Sequence, residues 1–241
     1  MRYGIFSDIH GNLEAFEAVI AALEKESVDV YLCAGDTIGY GADPDVCLER
    51  LRCLKAKSVA GNHEWAVLGN MTLMHFNPVA REAILWTENQ LGPDEKDFLK
   101  TFPLKFKNDD LMMVHGTWQH ESMFEYLTSL RKAQEMFALM DRDIGFVGHT
   151  HVPMILEQND EEISFVSSFV IKPNPDRKYI VNVGSVGQPR DGDPRAAYAV
   201  YDTKAKEVAV RRVSYPVVKA QEKIRQAGLP GMLADRLEIG F

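Results

Sequence analysis

The stretch Tyr3-Gly4-Ile5-Phe6-Ser7-Asp8-Ile9-His10-Gly11-Asn12 decides how the rest of this chain folds. A short apolar run ends abruptly at polar residues and glycine, which is typical of a buried strand. Asp8 and His10 follow directly after the end of that strand. Because side chains two apart on an extended backbone point to the same side, we expect this carboxylate and this imidazole to face a common point.

The composition is that of a globular protein that folds without disulfides. The chain has 241 residues, 46% of them hydrophobic, and a formal net charge of -8. This length accommodates one large α/β domain with a small insertion, so we take residues 1–241 as a single domain. The acidic balance disfavours sequence-independent nucleic-acid binding, which needs a basic stripe, and we expect no stable nucleic-acid partner.

The cysteines and the N-terminus favour a cytoplasmic location. Cys33, Cys47 and Cys53 are too sparse for a disulfide framework and lack zinc-finger spacing, so we expect a reducing compartment. The first apolar run is broken at Asp8, which argues against a signal peptide. No stretch approaches the length of a membrane span, and we expect no membrane partner.

The order of the first predicted elements indicates a parallel sheet. Further strands are predicted at 28–34 and 58–60, with helices starting at Asn12 and spanning 45–54 between them. This alternation implies right-handed crossovers between parallel strands. Ligands of such sheets bind beyond the carboxyl ends of the strands, and Asp8, Asp36 and Asn62 all fall there.

The rest of the chain is predicted to add an insertion, two strands and an antiparallel part. Residues 64–101 are interpreted as a helical insertion that caps or flanks the site, with His75 on its surface. Strands at 111–114 and 144–147 end at His115 and at Gly148-His149-Thr150-His151. Residues 152–216 are predicted to form antiparallel structure, including hairpins 154–156/163–171 and 197–201/208–213. A helix at 217–226 and a partly apolar tail follow. Homodimerisation through this tail is a hypothesis.

Seven candidate metal ligands follow five predicted strand ends: Asp8, His10, Asp36, Asn62, His115, His149 and His151. A lone Asp or His at such a position is usually a turn or core residue, but five coincident strand ends favour a metal site. Oxygen and nitrogen ligands without thiolate suit Mn, Fe, Zn or Co. Seven ligands suit two ions about 3.5–4 Å apart, the separation of two-metal hydrolytic sites. Asp36, on the middle strand, is the natural bridge.

The same motifs resemble the calcineurin-like metallophosphoesterase superfamily. Asp8-Ile9-His10, Gly35-Asp36, Gly61-Asn62-His63-Glu64, His115 and Gly148-His149-Thr150-His151 look like its ordered motif set, and residues 182–191 resemble its small prokaryotic phosphodiesterase and diadenosine-polyphosphatase-like members. The resemblance implies an α/β fold: a four-layer αββα sandwich of two mixed β-sheets flanked by helices.

The resemblance also implies roles for these residues. One divalent transition metal would be bound by Asp8, His10, Asp36 and His151, and the other by Asp36, Asn62, His115 and His149. A bridging hydroxide would attack phosphorus in line. His63 would bind no metal and would donate a proton to the leaving oxygen or stabilise the transition state. We expect manganese to be the most active metal in an assay.

One departure from the family pattern bears on the substrate. Phosphoprotein phosphatases continue Gly-Asp with x-x-Asp-Arg-Gly, whereas Gly39 and Tyr40 occupy those positions here. The residue that orients His63 is therefore open. Because an anionic monoester needs more cationic clamping than a diester, loss of the Arg favours phosphodiesters or nucleotide polyphosphates. Arg190 and Arg195 are candidates to replace the clamp.

Two further side chains are candidate substrate contacts. Tyr40 could stack on a base, and Asn12 could touch substrate besides capping the first helix.

Several functions stay open. A small-molecule phosphomonoesterase, a phosphoprotein phosphatase and a nuclease are the alternative enzymes. The non-enzyme alternative is a scaffold, as in the retromer subunit that keeps this fold without catalytic function. Retention of His63 and of all the expected ligands argues against a scaffold.

Overall fold

Two six-stranded mixed β-sheets stack face to face in the computed structural model, which describes residues 1–241. The strands are β1 Arg2–Phe6, β2 Val30–Cys33, β3 Lys57–Ser58, β4 Lys105–Lys107, β5 Met112–Val114, β6 Ile144–Val147, β7 Met154–Asn159, β8 Glu162–Phe165, β9 Val170–Ile171, β10 Lys178–Asn182, β11 Ala196–Asp202 and β12 Glu207–Val213. The first sheet has the order β3-β2-β1-β11-β12-β9, and the second has the order β4-β5-β6-β10-β7-β8.

Eight α-helices cover the outer faces of the sheets and form the insertion. They are α1 Leu13–Lys25, α2 Pro44–Cys53, α3 Asn62–Val67, α4 Pro78–Gln90, α5 Pro93–Lys100, α6 Leu130–Leu139, α7 Val217–Gln226 and α8 Gly231–Ile239, with single 3₁₀ turns at Leu73–His75 and Glu121–Met123. Two mixed sheets flanked by helices confirm the predicted αββα sandwich. No helix has both the length and the apolar character needed to cross a bilayer.

The alternation of β1 divides the core into layers. Tyr3 and Ile5 pack into the cluster between the two sheets, whereas Phe6 packs into the cluster between the first sheet and helices α1, α7 and α8. Successive strand residues face opposite sides, so one strand serves both layers. β1 pairs in parallel with β2 and antiparallel with β11, which places its carboxyl end in the middle of the first sheet.

The predicted strand over residues 163–171 is wrong, because two strands lie there and they belong to different sheets. β8 pairs with β7 in the second sheet, and β9 pairs with β12 in the first. Between them, the Ser168 hydroxyl accepts from Val170 N at 3.1 Å and donates to Val170 O at 2.7 Å. Such a local bond competes with strand pairing, and the chain crosses between sheets at this turn.

The tail beyond α7 forms a second helix that the sequence reading did not anticipate. Leu233 and Leu237 are buried in the helix-covered core, whereas Ile239 and Phe241 are exposed. Half of the apolar tail therefore covers the core. Dimerisation through the exposed half stays a prediction.

Candidate metal centre and active site

The structure brings all seven predicted ligands to one point between the sheets. His151 Nε2 lies 3.1 Å from Asp8 Oδ1, and His115 Nε2 lies 3.2 Å from Asp36 Oδ2. His10 Nε2 lies 3.7 Å from both carboxylates and so joins the two groups. Asn62 and His149 complete the set around His115. We call these seven buried side chains the floor of the site.

Left-handed backbone, not extended backbone, aims the floor residues inward. The φ angles are 54° at Asp8, 51° at His10, 54° at Asp36, 67° at His149 and 60° at His151. The reason given above for the convergence of Asp8 and His10 is therefore wrong, although the convergence itself is present. This conformation costs about 1–2 kcal/mol per non-glycine residue, so the surrounding structure must hold it.

Main-chain hydrogen bonds between neighbouring loops hold these strained positions. The loop after β1 donates from Asp8 N to Gly35 O at 2.9 Å and from His10 N to Asp36 O at 3.0 Å. The loop after β10 donates from Gly187 N to Asp8 O at 2.8 Å. Three separate strand ends are thereby locked to one another, which fixes the side chains they carry.

Backbone carbonyls set the tautomers of three floor histidines. His10 Nδ1 donates to Ile38 O at 3.0 Å, His115 Nδ1 to Ala34 O at 2.7 Å, and His151 Nδ1 to Gln188 O at 2.6 Å. A neutral imidazole has one N–H, so His10 and His151 present a bare Nε2 to the centre, and His115 does so whenever its ring is neutral. This arrangement is the usual one for a histidine that binds a metal.

The bare nitrogens and a nearby carboxylate oxygen lack hydrogen-bond donors, and a cation would satisfy their lone pairs. His10 Nε2 and His151 Nε2 are 3.0 Å apart, and so are His115 Nε2 and His149 Nδ1. In the first pair both nitrogens carry lone pairs, which repel at that distance unless a proton or a cation lies between them. The buried Asp8 Oδ1 also lacks a hydrogen-bond partner. This set of oxygen and nitrogen donors fits divalent transition-metal ions.

The electrostatics of the floor reflect the same crowding. Burial would raise the pKa of Asp36, but the surrounding imidazoles, His115 first, hold it far below its usual range. Burial alone would lower the pKa of His115, but the charge and hydrogen bond of Asp36 outweigh it and raise that pKa to about 10. Burial lowers the pKa of His151 to about 4 despite Asp8. The carboxylates are thus ionised and ready to bind cations.

Glu64 anchors the loop that carries Asp36. Its buried carboxylate accepts backbone N–H groups of Thr37 at 2.7 Å, Asp36 at 2.9 Å, Ile38 at 3.3 Å and Gly61 at 2.7 Å. A buried carboxylate is tolerated when such donors surround it. The sequence reading quoted Glu64 only as part of a motif and gave it no role.

Aromatic packing takes the place of an acidic partner for His63. A Cβ built at Gly39 would lie 2.2 Å from His63 Nδ1, so no side chain fits at that position. That nitrogen is buried without a hydrogen-bond partner. Instead, the ring of Tyr40 lies 4.6 Å from the His63 ring, and Phe76 lies 5.6 Å away. Burial lowers the pKa of His63 to about 3.

A cavity of about 590 Å³ opens above the floor. Its lining includes the floor residues Asp36, Asn62, His149 and His151 together with His63 and Tyr40. The opposite side is formed by the insertion, by the loop before α6 and by Arg190 from the loop after β10. We call its members the wall: Met71, Phe76, Met123, Phe124, Tyr126 and Arg190. Tyr126 stacks on His149 with ring centroids 3.8 Å apart.

The remaining predicted substrate residues divide between the cavity and other places. Tyr40 and Arg190 line the cavity, with the Arg190 guanidinium 5.8 Å from the Tyr40 ring centroid. The Arg195 side chain lies outside it and binds Asp193 at 2.6 Å. Asn12 caps α1 through Ala15 N and donates to Gly187 O, also away from the cavity. Of the two arginines, only Arg190 is placed to meet a substrate.

The sequence reading missed most of the wall. His75, interpreted as insertion surface, lines the cavity, as do Phe76, Tyr126 and Lys132. These residues follow no strand end and share no spacing, so only the fold brings them together. The one available signal was the apolar character of the insertion, from which we predicted that this segment caps or flanks the site; its residues His75 and Phe76 line the cavity.

Comparisons with known proteins agree with this geometry. The family model of the calcineurin-like phosphoesterase superfamily domain matches residues 1–206. An uncharacterized protein of Methanocaldococcus jannaschii is 37% identical over 240 residues, covering 98% of this chain and 97% of that protein. The crystal structure of a metallophosphoesterase from Sphaerobacter thermophilus is 40% identical with a TM-score of 0.88, covering 100% of this chain and 99% of that one.

A more distant structure shares the fold. A hypothetical protein from Pyrococcus horikoshii is 16% identical with a TM-score of 0.82, covering 100% of this chain and 98% of that one. The match of the family model and the two closer relatives show that the chain belongs to the calcineurin-like phosphoesterase superfamily.

Proposed function

We propose that this protein is a metal-dependent hydrolase of phosphoester bonds that favours phosphodiesters or nucleotide polyphosphates. One observation carries the proposal: a cavity of about 590 Å³ is lined by four of the seven floor residues and has an aromatic wall with one arginine. That volume is within the range of about 300–1,000 Å³ typical of small-molecule sites. Membership of the superfamily makes hydrolysis the expected reaction.

Two divalent cations are the cofactors that the floor fits. Asp36 lies between the two ligand groups, so it would be shared by both ions; the others would divide into Asp8, His10 and His151 on one side and Asn62, His115 and His149 on the other. Bound there, the cations would neutralise phosphoryl charge and lower the pKa of a bound water.

We assign proton donation to the leaving oxygen, and orientation of the substrate, to side chains of the chain itself. His63 is buried beside Asp36, with Nε2 4.0 Å from Asp36 Oδ2, and we assign its N–H to the leaving oxygen. Tyr40 and Phe76 keep the ring in place. Arg190, at the cavity rim, would bind a phosphoryl oxygen, and Tyr126 would pack against the group attached to phosphorus.

The charge of the wall favours diesters over monoesters. Lys132 also lines the cavity, but its ammonium group is paired with Glu125 at 3.1 Å. Arg190 therefore supplies the unpaired positive charge that faces the substrate. Apolar and aromatic wall residues suit an organic group on either side of phosphorus. A small-molecule phosphomonoesterase is the second candidate, because Arg190 alone could supply a clamp for a dianion.

The test is a substrate panel with metal-stripped protein reconstituted with Mn, Zn or Mg. Bis-p-nitrophenyl phosphate and diadenosine tetraphosphate represent the preferred class, and p-nitrophenyl phosphate represents monoesters. We expect diester or dinucleotide turnover only with metal, and its collapse in His63→Ala. Faster hydrolysis of the monoester would overturn the substrate preference, and no turnover with metals bound would support a scaffold.

A further inference from the structure

Two arginines from distant parts of the chain converge on one oxygen atom behind the cavity rim. Gln188 Oε1 accepts from Arg190 Nη2 at 2.8 Å, from Arg190 Nε at 3.3 Å and from Arg236 Nη1 at 3.0 Å. Gln188 is buried, in the loop after β10, whereas Arg236 lies on α8. Three donated hydrogen bonds fix the orientation of this amide and, through it, the Arg190 guanidinium.

Neither guanidinium contacts a carboxylate side chain. Other arginines nearby are paired: Arg195 with Asp193, Arg212 with Asp191, and Arg225 with Asp235. Arg190 instead donates to the neutral amide oxygen of Gln188, so its charge stays uncompensated beside the cavity. Uncompensated positive charge at the mouth of a site attracts anions and raises their local concentration.

A second group of contacts fixes α8 against the loop that carries Arg190. Gly192 N donates to Gly240 O at 2.8 Å, just beyond the end of the helix. Gly240 has a φ of 66°, and a Cβ there would lie 2.7 Å from the backbone of Asp193, so only glycine fits. Arg236 Nε also donates to Phe241 O at 2.5 Å. The end of α8 and the loop therefore form one rigid unit.

We infer that Arg236 is a positioning residue for phosphoryl anions: it holds the Gln188 amide, and thereby the Arg190 guanidinium, at the rim of the cavity. The inference rests on the proposed function, because it takes the ligand to be a phosphoester. Gln188 is unsuitable as the test position, since it is buried and its side chain contacts both arginines, so its substitution would not isolate Arg236. Arg236 contacts no floor residue and can be changed alone.

The test is a double-mutant cycle between Arg236→Met and Arg190→Met in the metal-loaded full chain. KM and kcat are measured with bis-p-nitrophenyl phosphate, and the Kd of inorganic phosphate by calorimetry. We expect Arg236→Met to raise KM and Kd about tenfold with kcat changed less than about twofold, and to have almost no further effect once Arg190 is Met. Arg236→Lys, which keeps the charge and one donor, should restore about half of the loss on a logarithmic scale.

The matched control is Arg225→Met, which removes an exposed arginine that ties α7 to α8 through Asp235 at 2.7 Å. We expect its KM and Kd to stay within about twofold of wild type, because exposed ion pairs contribute little. If Arg236→Met does not fold, the same cycle is run with Arg236→Lys.

Several results would overturn the inference. They are additive effects of the Arg236 and Arg190 substitutions, an equal effect of Arg225→Met, an unchanged Kd in Arg236→Met, and a wild-type protein that binds no phosphate. Phosphate binding without turnover would instead contradict only the proposed function, because the cycle in Kd would still report on Arg236.

Discussion

The floor and the wall of the site are built in opposite ways. Every floor side chain is at most 9% exposed and is tied to loops that cross-link several strand ends, whereas the wall combines the buried Phe124 with Met123, 65% exposed, and Tyr126, 46% exposed. The floor accepts left-handed backbone at five non-glycine residues in order to aim its ligands. Under the proposed function we expect a division of labour, in which the rigid floor holds the metals and the more exposed wall residues select the phosphoester.

The largest expected effect is on the floor residue that both ligand groups share. We expect Asp36→Asn to lower kcat/KM by at least about a thousandfold, because the neutral amide binds cations poorly and the two ligand groups lose their bridge. Metal content should fall from about two ions per chain to one or none. Asp45→Asn, an exposed carboxylate on α2, is the control and should retain full metal content. Normal activity in Asp36→Asn would remove the central element of the floor.

The next largest effect is expected at Glu64, which supports the loop that carries Asp36. Glu64→Ala leaves four backbone N–H groups without their buried acceptor, so we expect the free energy of unfolding to fall by about 2–4 kcal/mol. Because Asp36 also loses its anchor, kcat/KM should fall about 10- to 100-fold. Chemical denaturation and steady-state kinetics measure the two losses. Glu82→Ala, at an exposed position of α4, should change neither, and a stability loss without a kinetic one would mean that the Asp36 loop holds its shape unaided.

A smaller effect is expected in the wall. Tyr126→Ala removes the ring stacked on His149, and we expect KM for diadenosine tetraphosphate to rise about tenfold with kcat nearly unchanged. The free energy of unfolding should change by less than about 1 kcal/mol, because the residue is 46% exposed. Phe165→Ala, which removes an exposed aromatic ring away from the cavity, is the control. A fall in kcat without a change in KM would place Tyr126 with the floor.

The smallest effect on activity is expected from the scaffold beneath both regions. Burial alone would raise the pKa of Glu14, but its hydrogen bonds from Lys223 and Lys219 lower it. A lowered carboxyl pKa contributes stability above the unfolded pKa of about 4.3, and this contribution is lost as pH falls through the folded pKa. We therefore expect Glu14→Gln to cost about 1 kcal/mol of unfolding free energy at pH 7 and nothing in strongly acidic solution, with activity intact. A loss that did not depend on pH would point to packing instead of charge.

The sequence predicts the floor well because each of its ligands follows a strand end. Asp8, Asp36 and His115 are marked by the abrupt change from apolar to polar residues; parallel strands bring Asp8 and Asp36 to one edge of the first sheet, and His115 joins them from the second sheet. The backbone conformation there was not predictable: nothing local shows that Asp8 and His10 adopt φ near 50°. That geometry is imposed by hydrogen bonds to residues far away in the chain, such as Gly187.

Neither the wall nor the Arg236 contact could be predicted from the sequence, for a physical reason. Phe76 of the insertion and Tyr126 of the loop before α6 meet only in the cavity, and Arg236 of the last helix meets Gln188 of the loop after β10, so both contacts depend on how separate elements pack. Periodicity predicts that a residue is buried, but not which cavity it faces. The turn at Ser168 was missed likewise, because pairing partners in two different sheets decide where one strand ends.

The most direct test of the central claim is a titration of metal-stripped protein with Mn²⁺, in which calorimetric binding and hydrolysis of bis-p-nitrophenyl phosphate are followed on the same sample. We predict binding that saturates at about two ions per chain, with turnover rising as the second ion binds. In Asp36→Asn the second binding step and the turnover should disappear together. Hydrolysis that persists in the metal-free protein, or that reaches its maximum with one ion, would contradict the assignment of the floor as a dinuclear centre.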